Sequence, residues 1–193
     1  MRTAIIMSGL LGIGLTLGYE LVTNGDFEAP LTTGWTQTVS GDYTSSSYYT
    51  IDRAMDYNPD PDYEAQSRKY LHEIASLSQI VPIPHIDINF SAQAKLWCKC
   101  EDNAYNYFAA AALILYYMNN DSQILGETRI YRGTTYCNWQ NSSTIHLIRA
   151  ADTSNWYNYS FIIRNELNNL PGINPAQVKR IKVALYAYST HNC

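Results

Sequence analysis

The stretch "ELVTNGDFEAPLTTGW", residues 20–35, follows an apolar leader almost at once. It starts like a β-strand and then turns at Asn24-Gly25, a pair that permits the positive φ of a tight turn. Its two large aromatic residues, Phe27 and Trp35, are expected in a core and at its corner. The stretch therefore indicates the opening of a β domain, and it marks the fold rather than a ligand site.

The leader, residues 1–18, carries Arg2 as its only charge and then an apolar run of about fifteen residues, shorter than the ~20 that a membrane-spanning helix needs. Thr16 and Gly18 are small enough for the −3 and −1 positions of a cleavage site. We predict a secretory signal peptide, followed by a single domain over residues 19–193 with no membrane span. The alternative is a retained apolar leader.

Composition narrows the class of protein. The chain has 13 Lys and Arg against 17 Asp and Glu, a net charge of −4, and no basic cluster that could neutralise a run of phosphates. Nucleic acid is therefore not an expected partner. With 17 Tyr and only 16% charged residues, the composition is typical of an extracellular β protein.

Hydrophobic periodicity predicts strands along most of the domain. In residues 78–100, one face of a strand carries alternating apolar residues, namely Phe90, Ala92, Ala94, Leu96 and Cys98. Residues 107–118, "YFAAAALILYYM", are apolar on both faces and predict a central strand that ends in a turn at 119–121. Further strands are expected in 123–131, 144–149, 155–164 and 178–188, the last with Ile181, Val183, Leu185 and Ala187 inward.

Few other segments interrupt this pattern. Residues 174–178 predict a short helix, 63–77 predict either a helical turn or an irregular loop, and 41–61 predict a long surface loop. Seven or eight strands without regular helices predict an all-β fold. We expect a two-sheet antiparallel β-sandwich of the jelly-roll type, with few short helical turns.

The four cysteines predict two disulfides if the chain is exported; they are Cys98, Cys100, Cys137 and Cys193. Cys98 and Cys100 lie two apart on a predicted strand, where geometry opposes a bond between them. Each then pairs with Cys137 or Cys193, in one of two arrangements.

Oxygen ligands alternate in the acidic segment 56–64, "DYNPDPDYE", as in the first half of a calcium loop; they are Asp56, Asn58, Asp60 and Asp62. The segment lacks the Gly of the turn and the Glu of the twelfth position. It is either a weak calcium site, which would be the only cofactor, or a solvated acidic loop. Four Asn-x-Ser sequons are candidate glycosylation sites, at Asn89, Asn120, Asn141 and Asn158.

The sequence carries no hydrolase or metalloprotease motif of the Gly-x-Ser-x-Gly or His-Glu-x-x-His type and no Cys/His nucleophile pattern, so we predict that the protein is not an enzyme. Glycan binding instead needs flat apolar faces beside amides and hydroxyls. The candidates are Trp97 with Gln93 and Lys95 on the same strand face, Tyr186 and Tyr188 on the outward face of a late strand, and Trp139 in a loop. Trp97 and the two tyrosines form an aromatic platform if their two strands share a sheet, and Trp139 is a separate candidate. Alternatively, they cover a subunit contact or pack beneath the Tyr-rich loop.

The opening Asn-Gly-Asp-Phe-Glu of residues 24–28 with its Gly-Trp at 34–35, a Gln-x-Val at 79–81 and a Trp-x-x-Tyr at 156–159 together resemble the jelly-roll carbohydrate-binding modules of the galactose-binding-like superfamily. The resemblance covers nearly all of the mature chain and rests on Asn24, Gly25, Asp26, Phe27, Glu28, Trp35, Gln79, Val81, Trp156 and Tyr159. It implies a secreted, non-catalytic protein that binds a polysaccharide or glycan outside the cell or at its surface.

One departure from the family suggests a different function. The family usually closes with a strand that helps to hold calcium beside the first strand, which would involve Asp26 or Glu28, whereas this chain ends on "YAYSTHNC". An open sheet edge accepts strands from other chains. The alternative function is a structural subunit of an extracellular filament or surface assembly, in which copies of the protein join by strand addition.

Overall fold

The computed structural model describes residues 20–41, 44–55, 62–100, 106–150 and 155–190, together with the backbone of residues 6–9. Within these residues the chain forms eleven strands: β1 Ile6–Gly9, β2 Thr36–Val39, β3 Tyr49–Ala54, β4 Glu64–Lys69, β5 Glu73–Pro82, β6 Ile88–Ala94, β7 Ala109–Met118, β8 Ile124–Gly133, β9 Ile145–Arg149, β10 Tyr157–Ile162 and β11 Arg180–Ser189. A short helix, α1 Ile163–Glu166, and two 3-10 turns, Leu167–Asn169 and Pro175–Gln177, complete them. The predicted all-β class is confirmed. No helix in the described ranges is long and apolar enough to cross a membrane.

The strands form a sandwich of two main sheets. One has six strands in the order β2-β5-β11-β7-β8-β9, the other has three in the order β1-β6-β10, and β3 and β4 form a separate hairpin. The neighbours pair antiparallel as predicted, apart from β8 and β9, which are parallel. This difference arises because the connection over residues 134–144 returns the chain to the beginning of β8, where the N–H of Glu127 donates to the carbonyl of Thr144.

Strand β11 lies at the centre of the six-stranded sheet and pairs along its whole length with β5 and with β7. Its inward residues Ile181 and Val183 are fully buried, as the alternation predicts. Ala184 was expected outward, yet it is only 1% exposed. On the opposite face of this sheet, an aromatic cluster covers Ala184. It consists of Tyr116, Tyr131, Trp139 and Tyr186.

The opening segment, residues 20–35, forms successive turns rather than the predicted strand. Asn24 adopts a φ of 52°, and its side-chain amide exchanges two hydrogen bonds with the backbone of Ala29. Asn24 also accepts a hydrogen bond from the indole of Trp35 through its carbonyl, at 3.0 Å. Phe27 and Trp35 are buried with ring centroids 5.1 Å apart, so their predicted place in the core is confirmed.

Gln79 fastens the opening segment to the sheet. This side chain lies on β5 and is only 7% exposed. Its Oε1 accepts from the N–H of Thr23 at 2.7 Å, and its Nε2 donates to the carbonyl of Thr23 at 2.9 Å. The pair ties Thr23 to β5 in place of the strand pairing that the segment lacks.

Two predictions for residues 41–77 are wrong. Residues 49–54, expected in a surface loop, form β3, and residues 63–77, expected as a helical turn or loop, contain β4 and the first half of β5. The hairpin packs its apolar side chains Ile51, Tyr63 and Ala65 against the main core. Contacts with the sheet therefore determine its conformation, and the local sequence pattern does not.

Residues 6–9 of the leader form β1, which pairs antiparallel with β6 from Ile6 opposite Ser91 to Gly9 opposite Ile88. The leader thus supplies an edge strand to the three-stranded sheet. Cleavage after residue 18 stays a prediction.

A chain of buried hydroxyls links β7, β8 and α1. Thr128 donates its single hydroxyl hydrogen to Oε1 of Glu166 at 2.7 Å, so Tyr117 must be the donor in its 2.9 Å hydrogen bond to Thr128. Glu166 also accepts from Asn169 at 3.1 Å and contacts the ring of His146. Tyr117 and Thr128 are fully buried, so this network fixes α1 to the six-stranded sheet.

Candidate functional site

A groove crosses the six-stranded sheet between two walls. Strand β4 forms one wall, and the end of β6 with residues 95–99 forms the other. The groove has two adjoining parts, a first pocket of about 440 Å³ and a second pocket of about 600 Å³, within the usual range of ligand sites. Ser67, Arg68, Trp97 and Ala111 line both pockets, so the two parts are continuous.

The groove is open because its floor is made of small side chains. Residues 109–112 of β7 are all alanine; Ala111 lies opposite Ala187 on β11 and is half-buried, whereas Ala112 packs in the aromatic cluster on the other face. Larger side chains follow on β7, beginning with Leu113, which is completely buried in the main core. The alanine run in the sequence therefore marks the part of β7 that borders the groove.

Trp97 lies at the junction of the two pockets and is 54% exposed. Strand β6 ends at Ala94, but the predicted alternation of burial continues beyond it, with Leu96 buried, Trp97 exposed and Cys98 half-buried. Gln93 and Lys95 line the first pocket on the same side as Trp97, so the structure brings these three predicted residues together.

The two tyrosines and Trp139 are arranged differently from the predicted platform. Trp97 follows β6, whereas Tyr186 and Tyr188 belong to β11 of the other sheet, so the condition for the platform, a shared sheet, is not met. Tyr186 borders the first pocket, but its ring packs in the aromatic cluster on the opposite face of the sheet, 6.2 Å from that of Trp139. Tyr188 lines the second pocket while its ring stacks on that of Phe108 at 5.2 Å. Burial raises the pKa of Tyr186 to about 12.

Trp139 does not line either pocket among the described residues. Its ring lies 4.4 Å from the guanidinium of Arg129, 5.5 Å from the ring of Tyr131 and 6.2 Å from that of Tyr186. It therefore packs in the aromatic cluster on the opposite face of the sheet. This packing separates Trp139 from the groove.

Several groove residues were missed from the sequence. Gln66, Arg68 and Tyr70 come from a region expected as a helix or loop, so no signal placed them opposite Trp97. The guanidinium of Arg68 lies 4.3 Å from the centre of the Tyr70 ring, a cation–π contact that holds the arginine along the wall. Trp156, quoted for the family resemblance only, also lines the first pocket.

Two charged side chains of the β4 wall, Lys69 and Glu64, are buried. Lys69 is only 8% exposed, and burial lowers its pKa from the ordinary value while the nearby Glu73 carboxylate opposes that shift. In the first pocket, Glu64 is completely buried. Both side chains are therefore less exposed than those of Arg68, Lys95 and Lys99.

The cysteines border the groove. Cys98 lines the second pocket, and Cys98 and Cys137 are free thiols, whereas Cys100 is disulfide-bonded and Cys193 lies outside the described residues. Burial raises the pKa of Cys98 to about 11, with a smaller contribution from the neighbouring Cys137. The second predicted bond, which needs the thiols of Cys98 and Cys137, stays a prediction.

The remaining candidates lie elsewhere. Asp56, Asn58 and Asp60 are outside the described residues, and Asp62 is half-buried. The part of the chain that the structure describes contains no group of three His, Cys, Asp or Glu residues placed to hold a metal ion. Near the opening turn, Oδ1 of Asp26 accepts the N–H of Glu28. Calcium at either segment remains an expectation.

The four sequons differ in their exposure. Asn120, Asn141 and Asn158 are exposed, and Asn89 is half-buried on β6, where its Oδ1 accepts from Ser160 at 3.1 Å. Glycosylation of these positions also remains an expectation.

Comparisons with other proteins add little to this geometry. No protein-family model and no curated protein matches the sequence. One similar solved structure is that of TmCBM61 in complex with β-1,4-galactotriose, which has 16% sequence identity over 84% of this chain and 85% of that chain, with a TM-score of 0.37. A likeness of this degree does not support an argument about the ligand of this chain.

Proposed function

We propose that this protein is a secreted, non-catalytic protein that binds a glycan in the groove, at the cell surface or outside the cell. The observation that carries the proposal is the position of Trp97. Its exposed indole stands at the junction of two continuous pockets and offers a flat apolar face to a sugar ring.

The residues around Trp97 supply the polar contacts that a sugar needs. Gln93 and Lys95 lie on its own wall, and Gln66 and Arg68 lie on the wall formed by β4. Amide and cationic groups can donate hydrogen bonds to hydroxyl and ring oxygens. The alanine floor leaves room for a chain of sugar rings to enter between the walls.

Substitution at Trp97 tests this proposal. Native affinity electrophoresis against a panel of soluble polysaccharides should show retention of the wild-type protein. Trp97→Ala should weaken that retention at least tenfold, because a buried aromatic side chain contributes about 1.5–3 kcal/mol. Tyr136→Ala is the matched control. Tyr136 is also exposed, at 39%, and is not among the described residues that line either pocket.

A second variant blocks the groove without removing a contact. Ala111 is half-buried and lines both pockets, so Ala111→Phe should fill the space between the walls and abolish retention. Thermal unfolding shows whether each variant is folded. Equal retention of wild type, Trp97→Ala and Ala111→Phe, all folded, would contradict the proposed site.

The second candidate function is a structural subunit of an extracellular assembly. The observation that favours it is the pairing of β1 with β6, since removal of the leader would leave this edge to a strand from another copy. Deletion of residues 1–18 should then produce multimers or fibres, which light scattering and electron microscopy would detect. A monomer at high concentration would count against this function.

A further inference from the structure

The groove has a charge opposite to that of the whole protein. Four of the chain's 13 Lys and Arg residues line its two pockets: Arg68, Lys69, Lys95 and Lys99. Among the described lining residues the only carboxylate is Glu64, whose side chain is completely buried. A chain with a net charge of −4 has therefore collected cations along one concave surface.

The three exposed cations surround Trp97. Lys95 and Lys99 lie two residues on either side of it along one wall, and Arg68 lies on the facing wall. A sugar ring stacked on the indole would therefore have positive charge on both sides. Arg68, held against Tyr70, can present its planar guanidinium to a carboxylate with two parallel hydrogen bonds.

We infer that the glycan is anionic, a polysaccharide of uronic acids whose carboxylates contact Arg68, Lys95 and Lys99 while a ring stacks on Trp97. This inference rests on the proposed function and adds the chemical class of the ligand. A single-stranded nucleic acid is also anionic and stacks on aromatic rings. The net charge of −4 and the amides of Gln66 and Gln93, which suit sugar hydroxyls, favour the glycan.

Matched polymers test the inference. Polygalacturonate and its fully methyl-esterified form have the same sugar rings and differ in charge, and a β-1,4-galactan serves as a neutral polymer. The wild-type protein should bind polygalacturonate at least tenfold more tightly than the ester or the galactan in isothermal titration calorimetry at low salt. Raising the salt concentration should reduce this preference, because exposed charges are screened.

Charge variants locate the contacts. Arg68→Gln/Lys95→Gln should weaken binding of polygalacturonate about tenfold and binding of the ester by much less, because glutamine keeps a hydrogen-bond donor and loses only the charge. Lys179→Gln/Arg180→Gln is the matched control. It also removes one lysine and one arginine, and neither is among the described residues that line the groove. Equal losses in the two double variants would overturn the inference.

The outcomes separate the two claims. If the protein binds the ester and the galactan as tightly as polygalacturonate, and Trp97→Ala weakens all three, the glycan function stands and the anionic ligand is wrong. If no polysaccharide binds, both are wrong. Tighter binding of single-stranded DNA than of polygalacturonate would also overturn the inference.

Discussion

Substitution of Thr128 should show that the buried hydroxyl chain stabilises the fold. Thr128→Val preserves the shape of the side chain but removes its hydrogen bond to Glu166, at 2.7 Å, and the acceptor of the Tyr117 hydroxyl, at 2.9 Å. Loss of a hydrogen bond to a carboxylate costs about 1.5–3 kcal/mol, and a buried hydroxyl without a partner costs about 1–3 kcal/mol. We expect the free energy of unfolding to fall by about 3 kcal/mol in total.

A double-mutant cycle makes this reasoning specific. Tyr117→Phe alone should cost about 1 kcal/mol, because Thr128 still donates to Glu166. In the Thr128→Val background, however, Tyr117→Phe removes a hydroxyl that no longer has an acceptor. The double variant should therefore be less destabilised than Thr128→Val, at about 2 kcal/mol rather than the additive 4 kcal/mol.

Urea unfolding followed by tryptophan fluorescence measures each corner of the cycle, with m expected to stay constant. In thermal unfolding, Thr128→Val should lower Tm by roughly 6–12 °C for a chain of this length. The reasoning is refuted if the two single costs add to within about 0.5 kcal/mol. It is also refuted if Thr128→Val unfolds at the wild-type urea concentration.

Three further predictions concern other parts of the fold. Gln79→Leu should lower the free energy of unfolding by about 3 kcal/mol, because it leaves both backbone groups of the opening segment without their partner; a change below 0.5 kcal/mol in urea unfolding would contradict this. Gly126→Ala should cost about 1–3 kcal/mol in the same assay, since its Cβ would lie 2.5 Å from Cδ1 of Ile173, and an unchanged midpoint would contradict this clash. Refolding with oxidised glutathione should join Cys98 to Cys137, which non-reducing peptide mapping checks; two alkylated thiols there would disprove it.

The sequence predicts the large sheet well and the groove poorly. Strands β7 and β11 were predicted because their burial is periodic or continuous over ten residues, which few other conformations explain. The hairpin of β3 and β4 was missed because its strands are polar and gain their stability from the sheet beneath them. Trp97 was identified as an exposed aromatic, but Arg68 was not, since nearly thirty positions separate these two walls and only the fold brings them together.

The parallel pairing of β8 and β9 could not be predicted from the sequence either. Residues 144–149 alternate as a strand should, and this pattern indicates a strand without indicating its direction. The packing of Trp139 could not be predicted for a similar reason. Its burial against Tyr131 and Arg129 depends on the loop that returns the chain to β9, and no local pattern reveals that return.

The central position of β11 governs the order in which the sandwich can assemble during synthesis. Ten of the described strands precede β11 in the chain, yet β5 and β7 meet only through it. The chain leaves the ribosome with its N-terminus first. It therefore cannot complete the six-stranded sheet until residues 180–189 have left the ribosome. Until then the facing edges of β5 and β7 remain unpaired and open to association with other chains. The greatest need for a chaperone during synthesis therefore falls just before β11 is released.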